Sequence, residues 1–293
     1  MSLERARVRA VQKPWGTQDL RPWSTLGLDT GSIGELWYER DQSSAQNPSL
    51  LFKILATTEP LSIQVHPGDE FARTIGLPSG KTEAWYILSA KPDSKVAVGL
   101  TQRISKDQLR QAIREGSIAQ LVQWNPVVAG DVIFVPAGTI HAIGAGLVVA
   151  EIQQRSDATF RIFDYGRPRE LQIEHAVSAA NAGPADFSDG PTRYTTARSI
   201  LVVDRHFVLE RIELWPNSTW NLSAGPELWF FVADGKAQLG PLEISIADVV
   251  FAELEQVSIK VGSSGLKALV AYPGPAVSSG LLTELPGADA NRY

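Results

Sequence analysis

The stretch Gly130-Asp-Val-Ile-Phe-Val-Pro136-Ala-Gly138-Thr-Ile-His141 constrains the fold of this chain more than any other. It predicts a strand over 132–135, then a turn, then a second strand that begins at His141. Pro136 fixes its own φ, and Gly138 permits a tight reversal of the chain. We therefore expect a rigid turn that directs the imidazole of His141 toward the space that the sheet encloses.

Residues 61–69, Leu-Ser-Ile-Gln-Val-His-Pro-Gly-Asp, show a second pattern of this kind. Because side chains alternate along a strand, Gln64 and His66 share one face, and Ile63 and Val65 share the other. The Pro-Gly-Asp sequence that follows predicts a turn. Two polar groups on one face, with apolar groups on the other, suit a barrel whose interior holds a ligand.

Residues 80–88, Gly-Lys-Thr-Glu-Ala-Trp-Tyr-Ile-Leu, place Lys81 and Glu83 on a common strand face. Each of these polar residues, taken alone, is more simply explained as packed or solvated. Together, two histidine nitrogens, a carboxylate and an amide oxygen form a mixed set. Such a set suits a divalent ion with an open coordination position, which is the catalytic rather than the structural arrangement. The chain has no cysteine, which excludes a closed thiolate site.

Short strands are predicted through the first 181 residues, and their spacing favours a sandwich or a barrel. A helix is predicted over 106–121, with Leu109 and Ile113 on its apolar face and Ser105 as its N-cap. A second helix is predicted over 172–180 and carries His175, to which we assign no metal role. The predicted strands cover 33–39, 50–55, 61–65, 84–88, 96–100, 132–135, 141–143 and 148–154.

Residues 181–196 are rich in Gly, Pro, Ser, Asp and Thr, which predicts a linker. Further strands are predicted beyond it, with a hairpin turn at Asp234-Gly235. We expect two domains: residues 1–181, which bind the metal, and a smaller β domain over 195–293, which binds none because its only histidine is His206. The predicted strands of the second domain cover 207–213, 227–233, 235–239, 249–252, 257–261 and 266–271.

Composition and charge exclude several classes of partner. Of the 293 residues, 44% are hydrophobic and 20% are charged, which is ordinary for a globular protein. The net charge of −5 gives no reason to expect nucleic acid or an anionic membrane as a partner. Residues 1–9 are charged, and no apolar run has the length of a membrane span. We therefore expect a soluble cytoplasmic protein.

The spacing that ends at His141 resembles the second sequence motif of the cupin β-barrel family. Several stretches, in the same order, resemble type I mannose-6-phosphate isomerases, in particular their short bacterial form. The resemblance runs from about Lys13 to about His175, although Lys-Pro-Trp-Gly-Thr replaces the more usual Trp-Gly-Gly near its start. The matching stretches are Gln-Val-His-Pro at 64–67, Gly-Lys-Thr-Glu at 80–83, Pro-Ala-Gly-Thr-Ile-His-Ala at 136–142 and Glu-Ile-Gln-Gln-Arg-Ser-Asp-Ala-Thr-Phe-Arg-Ile-Phe-Asp-Tyr at 151–165.

This resemblance implies a mainly β fold: a cupin-type barrel or jelly roll with a few helices, then a smaller, degenerate cupin-like β-sandwich. It implies an isomerase that interconverts mannose 6-phosphate and fructose 6-phosphate with one zinc ion per chain, other divalent ions being possible. The implied metal ligands are Gln64, His66, Glu83 and His141. The implied basic residues of the active site are Lys53, Lys81 and Arg161, and its carboxylate is Glu151.

The reaction moves a proton between two neighbouring carbons through an enediol or enediolate. A divalent metal and a cation such as Lys81 or Arg161 can stabilise the negative charge that develops. Glu151 is the first candidate for moving the proton, because a closed site can raise the pKa of a carboxylate. A histidine or a lysine remains an alternative for that role.

Two of the implied residues have simpler explanations from the sequence alone. Lys53 lies in Leu-Leu-Phe-Lys-Ile-Leu, where it is either an edge lysine with its ammonium in water or a site residue. Arg161 lies among apolar residues and is either a site cation or the partner of Asp157 or Asp164 in an ion pair. At the site it would stabilise the enediolate, with phosphate binding as the second possibility. Phosphate could also be bound by Lys53.

Three other functions remain open: a different cupin enzyme such as an iron-dependent oxygenase, a non-catalytic or differently specific sugar-phosphate-binding cupin, and a purely structural β-sandwich. A glutamine ligand and the small number of histidines disfavour the first. Retention of Lys81, Glu151 and Arg161 disfavours the second. The third leaves the clustered polar positions unexplained. We expect a small sugar phosphate as the partner and a monomer or homodimer as the assembly.

Overall fold

The computed structural model of the chain describes residues 2–24, 26, 31–41, 47–187 and 190–286. Within these residues the chain forms 21 strands, arranged in three sheets, and four helices. The mainly β fold with a few helices that the sequence predicts is confirmed. The helices are α1 (Asp69–Thr74), α2 (Lys106–Glu115), α3 (Ile118–Leu121) and α4 (Ile173–Ala179).

Two antiparallel sheets of the first part of the chain face each other and form the cupin-type barrel. The six-stranded sheet has the order β2 (Arg7–Thr17), β3 (Ile33–Glu39), β4 (Leu50–Ala56), β11 (Leu147–Gln154), β6 (Glu83–Ala90), β9 (Val132–Val135). The five-stranded sheet has the order β12 (Phe160–Phe163), β5 (Ile63–Val65), β10 (His141–Ile143), β7 (Lys95–Leu100), β8 (Val122–Pro126).

A third sheet contains ten strands, most of them from the last hundred residues. Its first strand comes from the amino-terminus, since residues 2–5 pair with residues 253–250. The division of the chain into domains 1–181 and 195–293 stays a prediction. The ten strands are β1 (Ser2–Arg5), β13 (Thr192–Arg193), β14 (Arg198–Val203), β15 (Phe207–Leu214), β16 (Thr219–Ser223), β17 (Leu228–Leu239), β18 (Leu242–Ser245), β19 (Val249–Glu253), β20 (Gln256–Pro273) and β21 (Leu282–Leu285).

Side-chain alternation in the six-stranded sheet separates an apolar outer face from an inner face that carries both charged residues and a second apolar cluster. On β4, Phe52 and Ile54 belong to the core shared with the ten-stranded sheet, whereas Lys53 points the other way, into the barrel. On β11, Ala150 and Ile152 face that same shared core. The period of two therefore assigns each charged residue of these strands to the barrel interior.

Helices cover the outer face of the five-stranded sheet. Ile63 and Val65 of β5 pack in one cluster with Leu109 of α2 and Val177 of α4. Ser105 caps α2 as predicted, because its hydroxyl accepts a hydrogen bond from the backbone N–H of Gln108 at 3.2 Å. None of the helices in the described part of the chain is both long enough and apolar enough to cross a membrane.

Three expectations about strand and helix ends are wrong, and glycines explain them. The helix predicted over 106–121 is split into α2 and α3, because Gly116 has a φ of 75° and ends α2. The predicted hairpin at Asp234-Gly235 is the interior of β17, which has irregular register there. The segments predicted over 257–261 and 266–271 are likewise one strand, β20. A Cβ at Gly235 would lie 2.1 Å from the carbonyl oxygen of Gly265, so only glycine permits this close pairing.

Several strands escaped the sequence analysis, among them β1, β2, β14 and β16. The segment 181–196, predicted as a linker, also contains β13, which pairs with β14. β1 and β2 were missed because the arginines in this part of the sequence are typical of an exposed segment without secondary structure. In the structure, these charged side chains lie on exposed positions of strands whose backbones pair with apolar neighbours.

The barrel and the ten-stranded sheet share an aromatic core. The ring of Phe231 lies 5.3 Å from that of Phe52 and 5.9 Å from that of Trp23, and it is fully buried. Replacement by Ala should lower the free energy of unfolding by about 3–5 kcal/mol, because it leaves a cavity at this interface. Denaturant unfolding monitored by circular dichroism would measure the change.

Val203→Ala is the matched control, since Val203 is half exposed and the loss should stay within about 0.5 kcal/mol. A loss below about 1 kcal/mol for Phe231→Ala would contradict the view that this core joins the two sheets.

Candidate metal and substrate site

Two histidines and a glutamate meet in the space between the two barrel sheets. His66 directly follows β5, His141 begins β10, and Glu83 begins β6 on the opposite sheet. The Nε2 atom of His66 lies 3.3 Å from Oε2 of Glu83, and Nε2 of His141 lies 3.5 Å from Oε1. The three side chains are buried and offer atoms that all lie within 4.8 Å of one another. They form the donor cluster of the site.

Backbone carbonyls orient both imidazoles of the donor cluster. Nδ1 of His66 lies 2.8 Å from the carbonyl oxygen of Ala158, and Nδ1 of His141 lies 2.9 Å from that of Thr139. A carbonyl oxygen only accepts, so Nδ1 carries the hydrogen and Nε2 presents its lone pair to Glu83. Burial, reinforced by the nearby Lys81 cation, lowers the pKa of His66 to about 3, and burial also lowers the pKa of His141. Both rings are therefore neutral, as metal ligands must be.

The fourth predicted ligand, Gln64, joins the donor cluster from β5. It pairs in register with His141 of β10 on one side and with Arg161 of β12 on the other. Nε2 of Gln64 lies 3.3 Å from Nε2 of His141, and Oε1 accepts a hydrogen bond from Ser62. Ligation through Oε1 would need the amide group to turn over. The structure thus brings the four predicted ligands together, and their binding of a metal stays a prediction.

Lys81 supplies a positive charge to the donor cluster. Its Nζ lies 2.5 Å from Oε2 of Glu83 and 3.1 Å from Nε2 of His66. Burial would lower the pKa of Lys81, but the carboxylates of Glu83 and Glu151 outweigh it and raise that pKa. Burial would likewise raise the pKa of Glu83, but Lys81 and His66 hold it well below the ordinary value. Both side chains are therefore charged.

The donor cluster fits a divalent metal ion. Oε2 of Glu83 is buried and has no aligned hydrogen bond within the described residues, in spite of its contact with Lys81. Such an oxygen is stabilised by a cation. Two imidazole lone pairs and a carboxylate, without a thiolate, are the donors of a catalytic transition-metal site. In the described part of the chain, this is the one group of three or more such side chains close enough to hold an ion.

A second buried carboxylate, Glu151, lies on β11 between β4 and β6. Its Oε1 lies 3.5 Å from Nζ of Lys53, and its Oε2 accepts a hydrogen bond from Nε1 of Trp85 at 3.2 Å. The same indole N–H lies 3.1 Å from Oε1 of Glu83, so Trp85 links the two carboxylates. Burial, together with the charge of Glu83, raises the pKa of Glu151, in the direction that the sequence analysis expected.

Lys53 is an interior residue and not the edge lysine that the sequence left open. β4 has neighbours on both sides, and the side chain of Lys53 is buried. Its Nζ lies 4.2 Å from the centre of the Trp37 ring, a cation–π contact. Burial lowers the pKa of Lys53, although Glu151 and Glu35 oppose the change.

Arg161 lies on β12 and lines the cavity. One of its nitrogens, Nη1, donates to the carbonyl oxygen of Glu170 at 2.9 Å, and Nε is buried without a hydrogen bond in the described chain. Of the two expected partners in an ion pair, Asp157 and Asp164, the second lies 3.9 Å from Nε. The carboxylate of Asp164 is instead paired closely with Arg167 and Arg169. Burial and the neighbouring Arg169 cation lower the pKa of Arg161.

A cavity of about 250 Å³ connects these residues with the surface between the two sheets. Several of its lining residues were missed by the sequence analysis. Glu35 could have been found, because a charge in the apolar strand Ile-Gly-Glu-Leu-Trp-Tyr is the same signal that singled out Lys53. Arg169 follows the last matching motif by a few residues and carried no signal of its own. The missed residues include Lys13, Trp15, Glu35, Arg169 and Gln172.

The other two histidines lie outside the donor cluster. His175 is on α4, as predicted, and stacks on Phe160 with ring centres 5.2 Å apart. His206 precedes β15 and lies 3.8 Å from Asp69.

Curated proteins that are similar to this chain in sequence are mannose-6-phosphate isomerases. No family model matches the chain. The mannose-6-phosphate isomerase of Streptococcus mutans is 42% identical over 169 residues, which are 52% of this chain and 53% of the relative. The mannose-6-phosphate isomerase ManA of Bacillus subtilis is 32% identical over 208 residues, which are 67% of this chain and 64% of the relative. The chain thus spans about half to two thirds of the length of the curated relatives it matches.

Solved structures extend the likeness over the whole fold. The crystal structure of the mannose 6-phosphate isomerase from Bacillus subtilis matches with a TM-score of 0.81 and 26% identity, over 93% of this chain and 100% of its own. The chain is similar to mannose-6-phosphate isomerases in sequence and in fold. A zinc-bound holo structure of a mannose 6-phosphate isomerase has a TM-score of 0.72 at 15% identity, which shows the fold alone. The resemblance to type I mannose-6-phosphate isomerases that the motifs indicated is confirmed.

His141→Ala should remove the bound divalent metal while leaving the fold intact. The change deletes one of the two imidazole donors, and His141 contributes no other hydrogen bond that the barrel needs besides the one to Thr139. We expect the metal content, measured by mass spectrometry of the purified protein, to fall from about one ion per chain to below about 0.1.

His175→Ala is the control, because this histidine lies on a helix outside the donor cluster. Retention of the full metal content by a folded His141→Ala protein would refute the ligand assignment. More than one ion per chain in the unaltered protein would contradict the expectation that residues 195–293 bind no metal.

Proposed function

We propose that this chain is a metal-dependent aldose–ketose isomerase that interconverts mannose 6-phosphate and fructose 6-phosphate through an enediolate. The observation that carries the proposal is one cavity at which metal donors and charged groups meet. Its lining includes Gln64, Glu83, Glu151, Lys53, Lys81 and Arg161, and the buried imidazoles of His66 and His141 lie within 3.5 Å of Glu83. The similarity of the chain to mannose-6-phosphate isomerases supports this choice among sugar-phosphate reactions.

The cofactor proposed is one zinc ion per chain, held by His66, Glu83 and His141, with Gln64 as the fourth ligand. The mixed N/O donor set and the zinc reported in a protein of the same fold support it. Other divalent ions suit the same donors. When bound, such an ion supplies a Lewis acid that stabilises negative charge on the substrate oxygens.

Glu151 is proposed to move the proton. As a carboxylate it takes the proton from C2 of the aldose, and the electron pair of that C–H bond forms the C1–C2 double bond while the C1 carbonyl oxygen becomes an alkoxide. It then returns the proton to C1, and the proton of the C2 hydroxyl passes to the C1 oxygen as the C2 carbonyl forms. Burial raises the pKa of Glu151, which makes its carboxylate a stronger base toward the C–H proton. The indole N–H of Trp85 and the ammonium of Lys53 hold the carboxylate in place.

The three basic residues have separate proposed roles. Lys81 stays charged among Glu83 and Glu151 and contributes positive potential where the alkoxide develops. Arg161 lies beside Gln64 in the sheet register and reaches the reacting end of the sugar. Lys53 contacts the sugar from the opposite sheet.

The proposed location and assembly are those expected from the sequence: a cytoplasmic enzyme that acts on a free sugar phosphate as a monomer or a homodimer. Light scattering of the purified protein would determine the assembly.

The activity is tested by a coupled assay of fructose 6-phosphate formation from mannose 6-phosphate, before and after chelation. We expect turnover in the purified protein, its loss after metal removal, and its recovery on addition of zinc. Turnover that survives complete, verified removal of metal would refute the metal-dependent reaction. Binding of mannose 6-phosphate without any turnover would favour the non-catalytic sugar-phosphate-binding protein.

Arg161→Ala should lower kcat by about 10²–10³-fold, because it removes a cation that stabilises charge in the transition state. KM should change little, and the melting temperature should stay near that of the unaltered protein, since Asp164 keeps Arg167 and Arg169 as partners. Steady-state kinetics and thermal unfolding measure these quantities.

Arg114→Ala is the control for loss of an arginine, because Arg114 lies on α2 with its side chain mostly exposed. Near-normal kcat in a folded, metal-loaded Arg161→Ala protein would defeat this role. A rise in KM alone would assign Arg161 to the phosphate, and a large loss of stability would assign it to a structural ion pair.

A further inference from the structure

The outer part of the cavity carries more positive charge than its neighbours neutralise. Three arginines surround the single buried carboxylate of Asp164. Arg169 holds it in a bidentate pair, with Nε 2.5 Å from Oδ2 and Nη2 2.6 Å from Oδ1. Arg167 donates to Oδ1 at 3.0 Å, and Arg161 lies 3.9 Å away. Glu59, whose side chain is mostly exposed, lies 3.6 Å from Arg167. The three arginines thus contact two carboxylates, and the cluster keeps a net positive charge that attracts a phosphate.

The three arginines differ in what they can reach. Arg167 also donates to the carbonyl oxygen of Pro60 at 2.8 Å and does not line the cavity. Arg169 does line it, and its guanidinium lies 4.8 Å from the ring of Trp15. Because Nε and Nη2 of Arg169 are bound to Asp164, the fork is held rigidly, and Nη1 has no hydrogen bond within the described residues. A rigid guanidinium with an available donor is a preorganised anion site.

The sheet register fixes the order in which residues follow the donor cluster along the cavity. Arg161, Gln64 and His141 are neighbours across β12, β5 and β10, so Arg161 adjoins the donor cluster. Arg169 follows Arg161 in this order, because the carboxylate of Asp164 lies between the two arginines and contacts both. Gln172 ties this segment to β12, since its Oε1 accepts from the backbone N–H of Arg161 at 3.0 Å. The reacting carbons at the donor cluster would leave the far end of the substrate at Arg169.

Lys53 is less suited to the phosphate. It lies at the inner end of the cavity, and its charge is balanced by Glu151 at 3.5 Å and by Glu35. A dianion placed there would meet two carboxylates. Within the described residues, each lysine that lines the cavity lies 3.5 Å or less from a carboxylate, whereas Arg161 comes no closer than 3.9 Å to one.

We propose that Arg169 binds the phosphate of the substrate, that Asp164 is the residue that positions it, and that Arg161 is thereby left to the reacting end of the sugar. This inference rests on the proposed function, because it takes a hexose 6-phosphate as the substrate.

The test compares Arg169→Met and Arg169→Lys with Arg167→Met in the metal-loaded, full-length protein. Arg169→Met should raise KM for mannose 6-phosphate about 10- to 100-fold and leave kcat within about threefold, because hydrogen bonds to a charged group contribute about 1.5–3 kcal/mol to binding. Arg169→Lys should give an intermediate KM, since it keeps the charge without the fork. Arg167→Met removes the same charge from the same carboxylate without touching the cavity, so KM should change by less than about threefold.

A second readout does not depend on turnover. Calorimetric titration of inorganic phosphate into the metal-depleted protein should show weaker binding to Arg169→Met, by a factor similar to the rise in KM, and unchanged binding to Arg167→Met. If the unaltered protein did not isomerise mannose 6-phosphate, the proposed function would fail, but this titration would still decide whether Arg169 binds phosphate.

Three results would overturn the inference. One is a folded Arg169→Met protein with unchanged KM and unchanged phosphate affinity. Another is a fall in kcat at constant KM, which would place Arg169 at the reacting end. The third is an equal effect of Arg167→Met, which would mean that the general field of the cluster, and no particular residue, attracts the phosphate.

Discussion

Burial of charge between two facing sheets is the constraint on which the rest of this structure depends. Glu83, Glu151, Lys53 and Lys81 are almost completely shielded from water. Isolated charges would be very costly in such a place, so each must lie beside an opposite one. The contacts found, Lys81 with Glu83 and Lys53 with Glu151, meet that requirement. The site can therefore exist only while the strands that carry these residues stay in register.

The ten-stranded sheet helps to maintain that register, which gives a physical role to a part of the chain without metal donors. Its aromatic residues pack on the outer face of β4, β6 and β11. Glu227 adds a polar clamp, because its carboxylate accepts hydrogen bonds from the backbone N–H groups of Ser49 and Leu50, at 2.6 and 2.9 Å. Leu50 begins β4, the strand that carries Lys53. The clamp thus holds the start of a strand whose interior face contributes to the site.

Charge is distributed unevenly along the cavity, and this unevenness separates two tasks. At the inner end, carboxylates and cations are nearly balanced, so that the potential there is set by close contacts and by whatever ion the donor cluster holds. At the outer end, the cluster around Asp164 is net positive. A substrate with a phosphate at one end and a reacting carbonyl at the other would be oriented by this difference before any chemistry occurs.

The sequence by itself determined which residue types would meet. The period of two put Gln64 and His66 on one face, the Pro-x-Gly turn placed His141 at a strand start, and the four predicted ligands lie together in the structure. It also predicted most strands of the barrel and the cap of α2, because these features depend on local alternation and local hydrogen bonds. Only the tertiary structure decided which side of each strand became the interior, so Lys53 could not be told from an edge lysine, and Glu35 and Arg169 were missed. Strand continuity through Gly235 and Gly265 was likewise decided by their close approach, which joins residues distant in the chain. Local alternation specifies which residues share one face of a strand. What that face packs against is decided by residues far away in the chain, and such long-range contacts produce no periodic pattern in the sequence.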